Sequence, residues 1–276
     1  MSDTVAHLIR ERAEHMTKSE RRVARSLLAN YPLLGLRTVA DLATEAGVSA
    51  PTVLRFVARL DFDGYADFQA RLHDELADQL KAPLEKVTPA GANGELAAAM
   101  TANLAGTLDG LVEADVAGTV ALLASRRRPV YLTGGRFTDP LAAYLAAHLR
   151  LMRPGVRHIE AVADRRRDCL LDMTKSTILV VFDIRRYDRD LVDFARSAVE
   201  RGAKVILFTD QWLSPVSHQS SHVLAAHVEV PSIWDSNAAL MATVEIVLAR
   251  VARATWSETT NRLRTLETLR EDRPTP

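Results

Sequence analysis

Apolar residues recur every three or four positions through the first part of the chain, before residue 61. One run consists of Val39, Leu42, Ala43 and Ala46, and the next consists of Val53, Phe56, Val57 and Leu60. Both follow i, i+3, i+4, i+7, which predicts two helices that each bury one face. Gly47 lies between them, where the end of a helix favours a residue of positive φ. This arrangement predicts a helix-turn-helix, which places its second helix in the major groove of DNA.

Polar residues mark the start of each predicted helix. Thr38 is followed by Asp41 at capping-box spacing, and Ser49 precedes Pro51, which suits the first turn of a helix. Upstream, Thr17 and Glu20 form a further capping box and open a helix that buries Val23, Leu27 and Leu28.

The second helix of the pair places hydroxyl and guanidinium groups opposite its apolar stripe. We predict that Thr52 and Arg55 contact base edges, and that Ser49 and Arg59 contact phosphates. Between residues 17 and 60, seven Lys and Arg against three Asp and Glu leave a charge of +4. Ordinary surface arginines on a small helical bundle would show the same pattern, so periodicity alone leaves that alternative open.

Beyond residue 94 the apolar residues form short, nearly continuous runs. Such runs are typical of strands buried on both faces of a parallel sheet. Helical patterns alternate with them, which predicts a doubly wound αβα sandwich after an all-α N-terminal domain. The predicted strands span 129–134, 177–182, 204–209 and, more weakly, 223–230, and the main helical stretches are 140–153, 190–201 and 236–253.

The same patterns divide the chain. Residues 1–80 form the predicted DNA-binding domain, and 81–94, with two prolines and two glycines, form a linker. Residues 95–255 form the second domain, and 256–276 a charged helical tail that is disordered from 271.

Composition narrows the class of protein. The 276 residues are 47% hydrophobic with a net charge of zero, which excludes a protein that coats nucleic acid indiscriminately. Binding to double-stranded DNA must then depend on how the recognition helices are positioned rather than on overall charge. We therefore expect a homodimer or homotetramer that reads two half-sites. Cys169 is the single cysteine, no apolar run could span a bilayer, and no signal-peptide core opens the chain. We expect a cytoplasmic protein without a metal or cofactor.

The loops that follow the strands are where a doubly wound sheet binds its ligand. Gly134 and Gly135 would let a ligand approach the backbone, and a helix starting near Thr138 would favour an anion, although a tight turn explains adjacent glycines equally well. The candidate ligand contacts are Gly134, Gly135, Arg136, Thr138, Asp183, Arg185, Arg186, Thr209 and Ser214.

Two segments resemble known families. The stretch TVADLATEAGVSAPTVLRFVARLDFDGYADFQ, within residues 5–78, resembles the N-terminal domain of the RpiR (MurR/RpiR) family of bacterial transcription regulators. Its Phe62, Gly64, Tyr65 and Phe68 match the family's aromatic motif, whereas Asp61 stands where the family usually has glycine. Residues 95–255 resemble a sugar-isomerase (SIS) domain, which implies a phosphosugar sensor.

The ligand loops depart from the SIS pattern. The family's Gly-x-Gly-x-Ser loop is Gly134–Thr138 here, and its Ser-x-Ser-Gly-x-Thr loop is Asp183–Asp188. Asp183 would repel a phosphate oxygen, whereas Arg136, Arg185 and Arg186 can bind a carboxylate or phosphate bidentately, unless they are ordinary surface arginines. We therefore predict a small anionic metabolite, either a sugar phosphate or a sugar acid.

Two alternatives remain at this level. The second domain could serve only for oligomerisation, or the protein could be a SIS-type sugar-phosphate isomerase with a helical appendage. An isomerase needs a positioned general base. His148 and Glu160 belong to no recognisable catalytic cluster, so we expect a regulator rather than an enzyme.

Overall fold

A computed structural model of the protein describes residues 4–80 and 93–271. Five helices precede residue 81, and the second domain contributes seven more. The first set is α1 (Val5–Glu11), α2 (Lys18–Ala29), α3 (Val39–Ala46), α4 (Ala50–Arg59) and α5 (Tyr65–Leu80). The second set is α6 (Asn93–Asp109), α7 (Glu113–Ala124), α8 (Asp139–Met152), α9 (Ala163–Cys169), α10 (Arg189–Glu200), α11 (Ala238–Ala254) and α12 (Trp256–Glu271).

The ends of the N-terminal helices follow the predicted caps. Thr17 with Glu20, and Thr38 with Asp41, make complete capping boxes on α2 and α3. Gly47 has φ 61°, so it ends α3 in the left-handed conformation and turns the chain into α4. Asp61 also has a positive φ, 66°, which explains why glycine is usual there. Its carboxylate contacts the Arg12 guanidinium at 2.6 Å.

The predicted apolar stripes form the core of this domain. Val53, Phe56 and Val57 of α4, and Leu60 directly after it, are buried together with Leu27 and Leu42 of the preceding helices. Phe62 and Tyr65 each lie 5.5 Å from the ring of Phe68, between centroids. The helix-turn-helix is therefore α3 and α4, packed on α2 and closed by α5.

The second domain contains a five-stranded parallel sheet. Its strands are β1 (Val130–Gly134), β2 (Val156–His158), β3 (Ile178–Asp183), β4 (Lys204–Asp210) and β5 (His222–Ala226), in the order β2-β1-β3-β4-β5. The edge strand β2 lies outside the predicted runs because it has only three residues, two of them polar. The last strand is shorter than predicted because the His227 N–H turns away to Thr107.

Helices cover both faces of the sheet, as predicted. One face packs on α7, α8 and α11, and the other packs on α10. Ala6 of α1 is buried among the apolar residues between the sheet and α10, and Leu28 and Tyr31 of the N-terminal domain pack against the same group. The N-terminal domain therefore docks on its own sheet domain.

Two predictions fall mainly on residues outside the described ranges. Most of the predicted linker, 81–94, lies there, and α6 already begins at Asn93. The disordered end predicted from residue 271 also lies outside, apart from Glu271, which ends α12. Across residues 4–80 and 93–271, no helix has the length and apolar character needed to cross a membrane.

Candidate functional site

The outward side of α4 is the first candidate site. Its exposed residues include Leu54, Arg55 and Arg59, and Ser49 is exposed at the start of the helix. Leu54 is 47% exposed, and sequence reasoning missed it. The available signal was its position outside the apolar stripe formed by Val53, Phe56 and Val57.

Thr52 does not lie on this outward face, so its predicted exposure is wrong. It precedes Phe56 by four residues, which places both side chains on the same side of α4. Thr52 is 7% exposed. Its hydroxyl lies 3.0 Å from the Ser49 hydroxyl and accepts a hydrogen bond of 3.0 Å from Arg55 Nη2. Thr52 therefore holds Arg55 in place from beneath.

The other two predicted contacts have structural partners. Ser49 occupies the N-cap position, but its hydroxyl meets Thr52 rather than capping a main-chain N–H. Arg59 donates to Glu20 Oε1 at 3.1 Å and to the His15 carbonyl at 3.3 Å, which ties α4 to α2. Burial opposes ionisation of Glu20, but hydrogen bonds from Thr17 and Arg59 lower its pKa below the ordinary value. Of the predicted DNA contacts, Arg55 is the arginine not committed to another helix.

A cavity of about 580 Å³ lies beyond the carboxyl ends of β1 and β3, where the strand order reverses. This is the place where doubly wound sheets bind ligands, and the volume suits a small metabolite. The wall consists of the two loops identified from the sequence and a third segment before α11. The lining residues are Gly135, Arg136, Phe137, Thr138, Asp183, Ile184, Arg185, Arg186, Asp188, Ile233, Trp234, Asp235 and Asn237.

The two glycines after β1 differ. A Cβ on Gly134 would lie 2.5 Å from the Asp139 main-chain nitrogen, so packing against α8 requires glycine there. A Cβ on Gly135 would meet nothing closer than 3.5 Å, and this residue lines the cavity. Thr138 also lines it, but its hydroxyl donates to the Phe182 carbonyl at 2.7 Å and accepts from the Gly135 N–H at 3.0 Å.

Thr209 and Ser214 do not reach the cavity, so their prediction as ligand contacts is wrong. Both are fully buried behind Asp183. Thr209 donates to the Asp183 carbonyl at 2.6 Å, and Ser214 donates to the Asp183 carboxylate. Thr209 lies within β4 and Ser214 in the loop after it, and both hydroxyls support the neighbouring loop.

Asp183 is a buried carboxyl in the cavity wall. Burial raises its pKa to about 7, the charge of Asp210 adds to this, and hydrogen bonds from Ser214 and the Asp188 N–H oppose it. Burial likewise raises the pKa of Asp210 to about 6. Near neutral pH, Asp183 is thus present in both protonation states, and its repulsion of an anion is weaker than a full charge would give.

The three predicted ligand arginines separate into two kinds. Arg136 and Arg186 are exposed on the cavity wall. The Arg185 side chain is only 3% exposed and forms an ion pair with Asp235 through two hydrogen bonds. A solvent-facing pair of cations therefore remains at the cavity, whereas the third is neutralised by the protein.

Sequence reasoning missed Arg166 of α9, which lies under the cavity. It is buried and donates to the Gly134 carbonyl at 2.6 Å, to Thr133 Oγ1 at 3.3 Å and to Asp188 Oδ2 at 3.0 Å. Arg166 thereby links the loops after β1 and β3. Its run, Arg165–Arg167, resembles solvated surface charge in the sequence, so no local signal distinguishes it.

Comparison with known proteins agrees with both halves of this architecture. Residues 4–79 match the helix-turn-helix domain of the rpiR family, and residues 122–250 match the SIS domain. The chain belongs to the RpiR family. Within this RpiR-family protein, the match of 4–79 covers α1 to α4 and nearly all of α5, and that of 122–250 contains every strand of the sheet.

Its relatives include the HTH-type transcriptional regulator HexR of Escherichia coli (strain K12). HexR is 26% identical over 231 residues, which are 82% of this chain and 78% of HexR. The sugar isomerase domain of an RpiR transcription factor from Sphaerobacter thermophilus shares the fold with a TM-score of 0.59 and 23% identity, over 64% of this chain and 98% of that one. The Vibrio vulnificus NanR protein, complexed with ManNAc-6P, aligns with a TM-score of 0.56 and 19% identity, over 98% of this chain and 100% of NanR.

Proposed function

We propose that this RpiR-family protein regulates transcription by inserting α4 into the DNA major groove, under the control of a small anionic metabolite in the SIS cavity. The observation that carries the DNA-binding part is the outward face of α4, where Arg55 is exposed and fixed at its base by Thr52. A fixed guanidinium loses less conformational freedom when it binds.

The chemistry of this face suits base readout. Arg55 presents the donors that pair bidentately with guanine, and Leu54 offers an apolar contact for a thymine methyl group. Exposure of Ser49 at the N-cap supports our proposal that its hydroxyl contacts a phosphate oxygen. Thr52 acts as a positioning residue for Arg55. Arg59 would contact a phosphate while it keeps its ion pair with Glu20.

We further propose that the protein acts as a homo-oligomer in the cytoplasm. A single helix-turn-helix reads a short site, and a two-fold related pair reads two half-sites one helical turn apart. The whole chain has a net charge of zero, so its non-specific attraction to DNA is weak, and a second half-site would supply further affinity.

The cavity supports an anionic ligand. Arg136 and Arg186 can bind a phosphate or carboxylate, while Asp235 can accept hydrogen bonds from sugar hydroxyls. NanR, which shares the fold, is complexed with the sugar phosphate ManNAc-6P. A sugar phosphate or sugar acid is therefore the class that we propose.

One observation bears on the isomerase alternative. Asp183 lies in the cavity wall with a pKa of about 7, which suits a general base. However, its two carboxylate oxygens accept hydrogen bonds from Ser214 and from the Asp188 N–H. We therefore propose that the protein is not an enzyme, and absence of turnover on aldose and ketose phosphates would support this.

DNA from upstream of the gene tests the regulator proposal. Labelled fragments of the native sequence and of a scrambled sequence are titrated with the full chain at two salt concentrations. We expect the native fragment to bind at least about a thousandfold more tightly, which is the lower range for specific DNA recognition. Equal affinity for both fragments would contradict the proposal.

Melting temperatures test the ligand proposal. The protein is heated with each member of a panel of sugar phosphates and sugar acids, and a true ligand at a hundred times its Kd adds about 2.7 kcal/mol. The double variant Arg136→Gln/Arg186→Gln should lose that response. A flat response across the panel would favour a SIS domain that only oligomerises.

A further inference from the structure

Arg185 connects the cavity with the DNA-binding domain. It follows β3 and lines the cavity, yet its Nη1 donates a hydrogen bond of 3.0 Å to the main-chain carbonyl of Asp78. Asp78 lies in the last turn of α5, the helix that closes the helix-turn-helix domain. One buried side chain thus touches both the candidate ligand site and the candidate DNA-binding unit.

The contact with α5 is of a stabilising kind. A cation near the carboxyl-terminal carbonyls of a helix interacts favourably with the helix dipole. Arg185 supplies both a donor and a positive charge. It therefore fixes the end of α5 to the sheet domain.

The other contacts of Arg185 lie on the cavity side. Asp235 accepts from two of its nitrogens, Glu229 lies 3.5 Å away, and the guanidinium stacks 4.3 Å from the centre of the Trp212 ring. Asp235 also lines the cavity. Asp235 binds through Nε and Nη2, whereas Asp78 is bound through Nη1. An anion seated in the cavity away from the Asp235 position can attract the guanidinium in place of this carboxylate, and the planar group then turns towards it. Rotation breaks the 3.0 Å bond to Asp78, because hydrogen bonds weaken steeply as their angle bends.

A second arginine at the domain interface lacks this double role. Arg10 of α1 reaches the Val223 carbonyl at 3.4 Å and Asp115 at 3.6 Å. Neither partner lines the cavity beyond β1 and β3. Arg10 can hold the domains together, but a ligand in the cavity does not meet it.

We propose that Arg185 is the residue through which occupancy of the SIS cavity changes the position of the DNA-binding domain. The proposal rests on the proposed function, and it assigns the coupling to one guanidinium that alternates between two partners. In the empty cavity Arg185 pairs with Asp235 and caps α5, and in the occupied cavity it turns to the ligand and releases α5.

Hydrogen exchange in the full chain tests this coupling without knowledge of the ligand. Three variants are compared with the wild type: Arg185→Gln, which removes the bond to Asp78; Asp235→Asn, which weakens the partner on the cavity side; and Arg136→Gln, which changes a cavity arginine that has no hydrogen bond or ion pair to α5 in the described part of the chain. We expect amides in the last turns of α5 to exchange at least about tenfold faster in the first two variants. The Arg136→Gln variant should match the wild type, and exchange in β3 and β4 reports whether each variant remains folded.

Unchanged exchange in α5 of Arg185→Gln, or equal acceleration by Arg136→Gln, would overturn the proposal. If Arg185→Gln loses protection in β3 and β4 as well, Asp235→Asn decides the question by the same criterion. DNA affinity is measured in parallel, with a change of at least about fivefold expected for Arg185→Gln. If the wild-type protein binds DNA without sequence preference, the regulator proposal itself is wrong, regardless of the exchange result.

Discussion

The face of α4 and the cavity of the sheet domain hold their arginines in different ways. Arg55 is exposed, and a neutral hydroxyl, that of Thr52, accepts its hydrogen bond. Arg185 is buried and faces two carboxylates, an aromatic ring and a helix carbonyl. A guanidinium oriented by a neutral group keeps its charge for a partner, whereas one satisfied by carboxylates responds only when something displaces them. The first arrangement suits recognition of DNA, and the second suits a switch.

The largest expected effect concerns the buried carboxyl of the cavity wall. Since the folded-state pKa of Asp183 is about 7 and the unfolded value is near 3.8, the folded state retains its proton between these values. The free energy of unfolding therefore falls as pH rises through this window and levels off above it. The Asp183→Asn variant does not lose stability in this way. Its free energy of unfolding, relative to that of the wild type, should therefore rise by about 3 kcal/mol between about pH 5 and about pH 8.

Urea unfolding of both proteins at the two pH values measures this gain. Asp193→Asn is the control, because Asp193 is an exposed carboxylate on α10. A constant difference between Asp183→Asn and the wild type at both pH values would show that burial does not control this carboxyl.

The two adjacent glycines give the next largest effect. Gly134→Ala places a methyl group 2.5 Å from the Asp139 nitrogen, so the start of α8 must shift, which costs about 1–3 kcal/mol. Gly135→Ala finds open space and should stay within about 0.5 kcal/mol of the wild type. Chemical unfolding of the pair measures this, and equal losses would mean that the two positions do not differ in packing.

The helical domain was predictable because its side chains act through near neighbours in sequence. Thr17 with Glu20, Thr38 with Asp41, and Gly47 depend on the local backbone, and the apolar stripes depend on a helical period. Thr52 was assigned to the wrong face because it is polar, although its spacing of four residues from Phe56 places it beside the buried stripe.

The cavity was predictable in place but not in detail. The runs before Gly134 and Asp183 located the loops, because parallel strands bring their carboxyl ends to one edge. The partners of Arg185 and Arg166 come from residues tens of positions away, such as Asp235 and Thr133. No local pattern reports which arginines are neutralised, so the sequence could not separate Arg185 from Arg136.

The two arginines of α4 differ in a smaller way. Arg59→Ala removes a hydrogen-bonded partner of the buried Glu20 and should cost about 1 kcal/mol of stability. Arg55→Ala removes an exposed side chain and should leave the free energy of unfolding unchanged within about 0.5 kcal/mol. Thermal and urea unfolding measure both, and a larger loss for Arg55→Ala than for Arg59→Ala would reverse the roles assigned to them.

The smallest expected effect is at the turn after α4. Asp61 adopts φ 66°, which glycine adopts without a Cβ penalty, but the aspartate also contacts Arg12. Asp61→Gly should raise the Tm by up to about 2 °C, since exposed ion pairs contribute little. Asp61→Ala is the control and should lower the Tm, and an increase for alanine would show that the left-handed turn is not required.

The most direct test of the account is the affinity of Arg55→Ala for the native upstream DNA. We expect its Kd to rise roughly 5–150-fold, with relaxed discrimination at one base pair of each half-site. Arg196→Ala, which removes an equal charge from α10 in the sheet domain, should bind almost as the wild type does. If Arg55→Ala binds the native DNA with unchanged affinity and selectivity, α4 does not read DNA through this residue, and the account is wrong at its centre.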